Sequence, residues 1–471
     1  MTQAFLDSDT IKRLGQSAKE PAWLTELRTA ALKRHAELPW PQPSDEVWRR
    51  TSLSPFQPSG PLSLPAPPSL LQSVTLDAQT LARLLQPLGA EWLVVRVDGA
   101  FMTRPQLPAG VVVQELAQAA HERAGMLQPL LEADGLTPEE QKPTTLNTAL
   151  HTEGLFVDIP DGSAIPEPIR LVRLLSVTPG LALFPCTVIR VGRGSSVTLI
   201  EEELSAAAPT ATASSSHTVN GRIELVVEPE ATVHYCRIQQ WEAGATEFLL
   251  QRATVRQGAQ LTMVNINIGG QISKTHVIAE LVGAQASSRV FGFVFGHGKQ
   301  HVDFHSLQHH QAPQTFSDLL YKAALTDESR MIYTGLIRIA KAARQTNAYQ
   351  ANHNLLLSDR AKAETIPMLE ILADDVQCKH GATVGPVDEE QLFYLMTRGL
   401  PRALAERLLV MGFMEPVLSQ VPGELLRQRL RDELEGCLHP AGSPSASAGN
   451  SCFGAMSPPG AETDGFARGA P

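Results

Sequence analysis

The sequence predicts a mainly β protein, a parallel β-helix flanked by helical regions on its N- and C-terminal sides. Three observations carry that expectation. From about Thr152 to Gly385, short β-branched segments alternate with Gly, Pro, Asn and Asp, and nothing helical and long intervenes before about Tyr321. A loose repeat runs through the same stretch: Gly194 is followed at +3 and +5 by Val197 and Leu199, Glu230 by Val233 and Tyr235, Gly258 by Leu261 and Met263, and Glu328 by Met331 and Tyr333. The first three starts lie 36 and 28 residues apart, a spacing that suits stacked coils better than hairpins. Helical periodicity is confined to the two flanks. Short strands between turns also fit an antiparallel sandwich, and the pattern alone leaves that alternative open.

The expected organisation is a mostly helical region with a Pro-rich linker over 1–150, the parallel β-helix core over 151–386, a helical region over 387–438 and a disordered tail over 439–471. In the first region, Ser17–Glu37 has Trp23, Leu24, Leu27, Ala31 and Leu32 spaced for one apolar helix face, and Pro39, Pro41 and Pro43 stop it. Six prolines within Pro55–Ser69 enforce irregular or polyproline-like chain. Leu116–Ala133 reads as the next helix, ending near Gly135, and Thr137-Pro138-Glu139-Glu140 as a turn or helix start. In the last region, Asp388 with Gln391 three residues on resembles a capping box. Gly399 ends that helix and Pro401 opens another, striped by Leu404, Leu408 and Met411. Pro422 begins a third, with Leu426, Leu430 and Leu434 stacked at i, i+4 and i+8. Beyond His439 the chain is Pro, Gly, Ser and Ala with few anchors.

Composition narrows the function classes. Hydrophobic residues at 43% and charged residues at 19% describe a globular protein, and aromatics at 5% leave the core to Leu, Val, Ile and Ala. A net charge of −10 without a concentrated basic patch argues against nucleic acid as a partner. No apolar run reaches bilayer length; the longest candidate, Leu181–Val191, is interrupted by Pro185 and Arg190. The start, MTQAFLDSDTIK, has acids within its first ten residues and no apolar core, so no secretory or transit segment is expected. Five scattered cysteines (Cys186, Cys236, Cys378, Cys437 and Cys452) without CxxC spacing support neither a disulfide framework nor a zinc finger. The expectation is a reduced, cytoplasmic protein with no membrane association.

Chemistry is concentrated in few places. No GxxxxGK[ST] is present, since Gly298-Lys299 is followed by Gln300, and GxSxG, HExxH and GxGxxG are absent too. Histidines cluster at His297, His301, His305, His309 and His310, and His301, Asp303 and His305 would share one strand face, as a metal site could use. The plainer reading is a solvated face, or imidazoles that satisfy buried backbone groups. Cys378 and His380, two apart in a β-prone stretch beside Asp374 and Asp375, would also share a face. A thiolate and an imidazole a few Å apart make half of a site for iron, zinc or copper, to be completed by a partner. The competing reading comes from the repeat register. With Asp375 as a start, +3 and +5 are Cys378 and His380, positions that are apolar elsewhere, so both residues could be core and the acidic pair a turn.

The stretch Thr334–Leu400 resembles the C-terminal core of the SufB/SufD family of iron–sulfur cluster assembly proteins. The residues that carry the likeness are Gln345-Thr346, Leu355-Leu356-Leu357-Ser358, Pro367, Glu370-Ile371, Ala373-Asp374-Asp375-Val376, His380-Gly381-Ala382-Thr383, Phe393-Tyr394-Leu395 and Arg398-Gly399. Asp45-Glu46-Val47-Trp48-Arg49-Arg50-Thr51 resembles an acidic-Trp-basic-Thr element of the SufD branch, and Asn147–Pro160 with Pro166–Pro168 resembles the entry to the family's β-helix. SufB-type chains usually carry Glu where this chain has Gly381, and Cys in the loop that here reads Asp359-Arg360-Ala361; Cys378-x-His380 followed by glycine is the SufD pattern. The resemblance implies a right-handed parallel β-helix that pairs with a SufB-type paralogue. It implies a SufC-type ABC ATPase bound through the helices after Asp388, and no nucleotide on this chain itself. It further implies a non-catalytic scaffold on which a nascent iron–sulfur cluster is built and passed to acceptor proteins, with Cys378 and His380 at the paralogue interface. The rival classes are a β-helical or cupin-like metalloenzyme using His301, Asp303 and His305, a purely structural subunit, and a SufB-like homodimer, against which Gly381 and Ala361 argue.

Overall fold

The computed structural model describes residues 2–58, 60–65, 88–89, 91–103, 105–132, 136–175, 180–205 and 217–438. The expected disordered tail, 439–471, and Cys452 lie outside these residues. From Glu153 to Pro386 the chain winds as a parallel β-solenoid, with successive strands going alternately to two ten-stranded sheets. In one coil, Thr246–Val255 lies in one sheet and Gln260–Asn267 in the other; each pairs in parallel with its counterpart one coil on, Thr246 opposite Ile272 and Gln260 opposite Ser287. We call the sheet ending in Gln377–Pro386 the first and the sheet ending in Lys362–Ile371 the second. The sandwich alternative is thereby excluded.

The repeat seen in the sequence is a corner of this solenoid. Gly194, Glu230, Gly258, Gln285, Gln314, Gln345 and Asp375 all sit at φ between 58° and 64°, the left-handed region that turns the chain sharply. Each corner N–H before the last coil reaches the next one: Glu230 donates to the Gln257 carbonyl at 2.9 Å, Gln285 to Pro313 at 3.1 Å, and Gln345 to Asp375 at 2.8 Å. Three residues past each corner the strand enters its inward row, so Leu199, Tyr235, Met263, Val290 and Leu319 line up coil upon coil. All five are buried in one continuous core, which is what makes stacking favourable. Glu328 belongs to the other corner, next to Asp327 (φ 56°), and its Met331 and Tyr333 point inward from the second sheet.

Both outer faces are covered. Helices Arg402–Leu418 and Glu424–Cys437 lie on the first sheet, where Val410, Met414, Val417, Leu426, Leu430 and Leu434 cluster with Cys236, Ile238, Val264, Ile266 and Phe293. The leucine stripe expected from Pro422 onward is there, although the helix opens two residues later, behind Gly423. Helices Ala22–Glu37, Leu116–Glu122, Ala124–Glu132 and Pro138–Leu150 lie on the N-terminal side. The single helix expected over Leu116–Ala133 is therefore two, broken at Arg123. The helix expected over Ser17–Glu37 starts only at Ala22, because Lys19 adopts φ 52° and an earlier helix, Ser8–Ser17, ends before it. Thr137-Pro138-Glu139-Glu140 does open a helix: the Thr137 N–H donates to Glu140 Oε2 at 3.0 Å. Strands Trp92–Val97, Ala100–Thr103 and Val112–Glu115 from this flank extend the two sheets. Among the described residues no helix is long and apolar enough to cross a membrane.

Candidate functional site

The stack has an open end. Among the described residues, strand Gln377–Pro386 pairs only with Asn347–Leu356, and Lys362–Ile371 only with Arg330–Ile339, so each sheet ends there in a strand with one edge unpaired. In the first sheet Cys378 lies opposite Ala348 and His380 opposite Gln350. Both therefore continue inward-facing rows, as the repeat register implied. With no further coil above them among the described residues, Cys378 is only half-buried and His380 is exposed, whereas Ala348 and Gln350 are each 1% exposed. One flank of Cys378 is apolar, packed against the cluster of Ile337, Ile339, Ala343 and Ala348. That burial pushes its thiol pKa up. A bound metal would therefore have to displace the proton. Asp375 is the corner residue of this coil, so half of the acidic pair is a turn, and Asp374 is exposed beside it.

Among the described residues, no group of three His, Cys, Asp or Glu side chains converges in a way that could hold a metal ion. What this chain offers is two donors on one face, with apolar surface around them. Tyr349, Met368, Leu369, Ile371, Leu372 and Val384 are all at least 36% exposed, Leu372 reaching 61%. Unpaired strand edges beside exposed apolar side chains are the usual makings of a protein–protein contact.

The histidine cluster has a different role. Strand His301–His310 alternates, so His301, Asp303, His305 and His309 face outward and His310 inward. His310 bonds Thr315 Oγ1 at 2.8 Å and Ser317 Oγ at 2.9 Å in the core. His301, Asp303 and His305 do share a face, yet the cation there is Lys274, its Nζ 2.6 Å from Asp303 Oδ2. Thr51 Oγ1 donates to Asp303 and stands 2.8 Å from His301 Nε2, and His305 Nε2 is 3.1 Å from Asp303 Oδ1. His305 stacks on His276, which in turn meets Glu140 at 3.1 Å. Burial opposes ionising Asp303, but Lys274 and His305 together hold its carboxyl well below the usual range. The expected metal site on this face gives way to an ion pair, because the buried Lys274 ammonium already neutralises the Asp303 carboxylate. Sequence spacing found the shared face; it could not find Lys274 or Thr51.

A second surface lies where the chain leaves the solenoid. Asp388 caps helix Glu389–Thr397, accepting from Glu390 N at 2.9 Å and Gln391 N at 3.3 Å. Beside it a shallow cavity of about 500 Å³ is lined by Asp388, Glu390, Gln391, Tyr394, Leu395 and Leu409. Phe393, Tyr394, Met396 and Leu408 are exposed at 68%, 56%, 40% and 48%. The helices behind them are tied to the solenoid by a buried ion chain that sequence reading missed. Arg429 Nη2 lies 2.7 Å from Glu202 Oε2, Arg170 Nε 2.8 Å from Glu202 Oε1, and Arg170 Nη1 3.1 Å from Glu91 Oε1.

Fold and site together define a helix-flanked β-solenoid protein whose last coil carries a thiol and an imidazole on one face. Comparison with known families agrees. The family described as SUF system FeS cluster assembly, SufBD core domain, matches residues 175–413, and the SufBD protein N-terminal region matches residues 87–171. The chain belongs to the SufBD family of iron–sulfur cluster assembly proteins. It is 27% identical over 455 residues to the iron-sulfur cluster assembly protein SufD of Bacillus subtilis, spanning 92% of this chain and 98% of that protein. It is 24% identical over 450 residues to SufBD family proteins of Staphylococcus haemolyticus and Staphylococcus epidermidis, spanning 92% of this chain and 94% of each relative.

Proposed function

We propose that this protein is a non-catalytic scaffold subunit of a cytoplasmic iron–sulfur cluster assembly complex, acting with a SufB-type paralogue and a SufC-type ATPase. The observation that carries the reading is the open end of the solenoid, where two unpaired edges, an apolar surround and the Cys378–His380 pair coincide. A second solenoid end placed there would satisfy both edges and bring further donors to the thiol and imidazole. The nascent cluster is the cargo, held between subunits and passed to acceptor proteins. Cys378 supplies a thiolate once its proton is lost, and His380 supplies an imidazole from the solvent side. The ATPase subunit docks on the exposed face of Glu389–Thr397, and this chain binds no nucleotide itself. The order of elements supports that division, because Pro386, the last residue of the end strand, is only three residues ahead of the first helix residue, Glu389.

Anaerobic co-purification with candidate paralogue and ATPase subunits tests the proposal, comparing wild type with Cys378→Ala and His380→Ala for bound iron and sulfide. Assembly of all three complexes with cluster loss in the variants alone is the expected result. Full cluster content in both variants would make the two residues structural and move the ligands to the partner.

A further inference from the structure

We propose that the segment Asp45–Phe56 is a lengthwise staple that holds the last coil of the solenoid in place from the N-terminal side. In a stacked solenoid each coil normally contacts only its neighbours, so a terminal coil is held from one side and frays first. The segment departs from that rule by contacting several coils on the outer face of the second sheet. Trp48 stacks on Phe248 of strand Thr246–Val255 with ring centroids 6.1 Å apart, and Phe56 meets both rings edge-on. One coil further on, Lys274 Nζ donates to the Val47 carbonyl at 2.7 Å and lies 4.7 Å over the Trp48 ring. The next coil supplies His301 and Asp303 to Thr51. Arg50, midway along the segment, reaches the last coil, its Nε 3.0 Å from Glu364 Oε2, while the other Glu364 oxygen accepts from Arg330 of the coil between.

The anchor and the tip differ in character. Trp48, Lys274 and Asp303 are each no more than 1% exposed, and Thr51 is 4% exposed, so the anchor is part of the folded core. The tip is a carboxylate shared by two guanidiniums at the surface, with Arg50 held on its other side by Glu46 at 2.6 Å. An isolated surface pair contributes little, but a shared carboxylate on a fixed anchor does not require ordering a free side chain. The coil so held is the one that carries Cys378 and His380. The inference rests on the contacts of this segment and stands whether or not those two residues prove to be ligands.

Hydrogen–deuterium exchange on the full chain tests it, comparing Arg50→Met and Thr51→Val with Arg338→Met as a control. Arg338 pairs with Glu370 at 2.9 Å across the same two strands, without involving the segment. Exchange across 362–386 is expected to rise about fivefold in Arg50→Met and Thr51→Val, with Glu153–Ile159 and Pro185–Val191 unchanged and Arg338→Met near wild type. Unchanged exchange at 362–386 in the first two variants would overturn the staple. So would an equal rise over every coil, which would make the segment ordinary core, or an equal effect from Arg338→Met.

Discussion

Cys378 lies directly opposite Ala348 in the last rung of the first sheet, in the same inward row, and yet Ala348 is 1% exposed while Cys378 is half-open. The difference is that, among the described residues, no coil follows. A core position has become a surface position without any change in backbone register.

This relationship makes Cys378 cheap to replace. Because it packs on one side only, Cys378→Ala should cost no more than about 1 kcal/mol, well under a fully buried truncation. Urea unfolding measures it. A loss several-fold larger would return the residue to the core.

Thiol reactivity should single out the same residue. Cys186 and Cys236 are buried, and burial pushes the Cys186 thiol up to about 11 and that of Cys236 higher still. In a background with Cys437 and Cys452 changed to Ser, iodoacetamide should therefore modify only Cys378 in the native chain. Its rate should keep rising beyond the ordinary thiol value of about 8.5, since burial raises its pKa as well. Assembly with a paralogue should protect it, and mass spectrometry reads each step.

Removing one partner of the Lys274–Asp303 pair leaves the other charge buried. Asp303→Asn and Lys274→Met should each cost about 3–5 kcal/mol. Replacing both with apolar residues should recover most of that loss. Denaturant titration of the three variants decides it, and independent, additive effects would contradict the pairing.

Acid should unfold the chain through its buried imidazoles. Burial pushes His35, His305 and His310 down to about 4 each. Against an unfolded value of about 6.5, the unfolded chain binds more protons between those limits, so stability falls as pH drops through that window. The ceiling is about 3 kcal/mol per imidazole. His310→Asn should flatten the profile of melting temperature against pH between about 6.5 and 4. An unaltered profile would show that His310 does not titrate there.

The helical arm should loosen at one residue. Arg429→Met leaves Glu202 with Arg170 alone, and should cost about 2 kcal/mol while raising amide exchange in Glu424–Cys437 above that in the solenoid. A double-mutant cycle with Glu202→Gln isolates the coupling; a zero coupling term would remove the ion chain as the tie.

Much of the fold is readable because its local rules are strict. Corners with Gly194 and Gly258 announce themselves, since glycine tolerates the left-handed turn freely. Those at Gln285, Gln314 and Gln345 do not, because glutamine carries no turn preference and Ser288 and Ser317 replace the apolar residue at +3. The helix opened by Thr137-Pro138 was legible from its capping chemistry. The break at Arg123 was not, because Arg is a good helix former and the nearby Gly125 lies inside the second helix and not at the break.

The sequence by itself determined that Cys378 and His380 emerge on one face, because side chains in any strand alternate with period two. It also determined that a repeating β core sits between helical flanks, through turn residues and apolar spacing. Only the tertiary structure decided that the face is open, since that depends on where stacking stops and not on any local preference. It alone placed Thr51 beside His301 and Asp303, some 250 residues away along the chain. It likewise turned a metal-like cluster into an anchor, because Lys274 comes from a neighbouring coil and its charge is felt only through space.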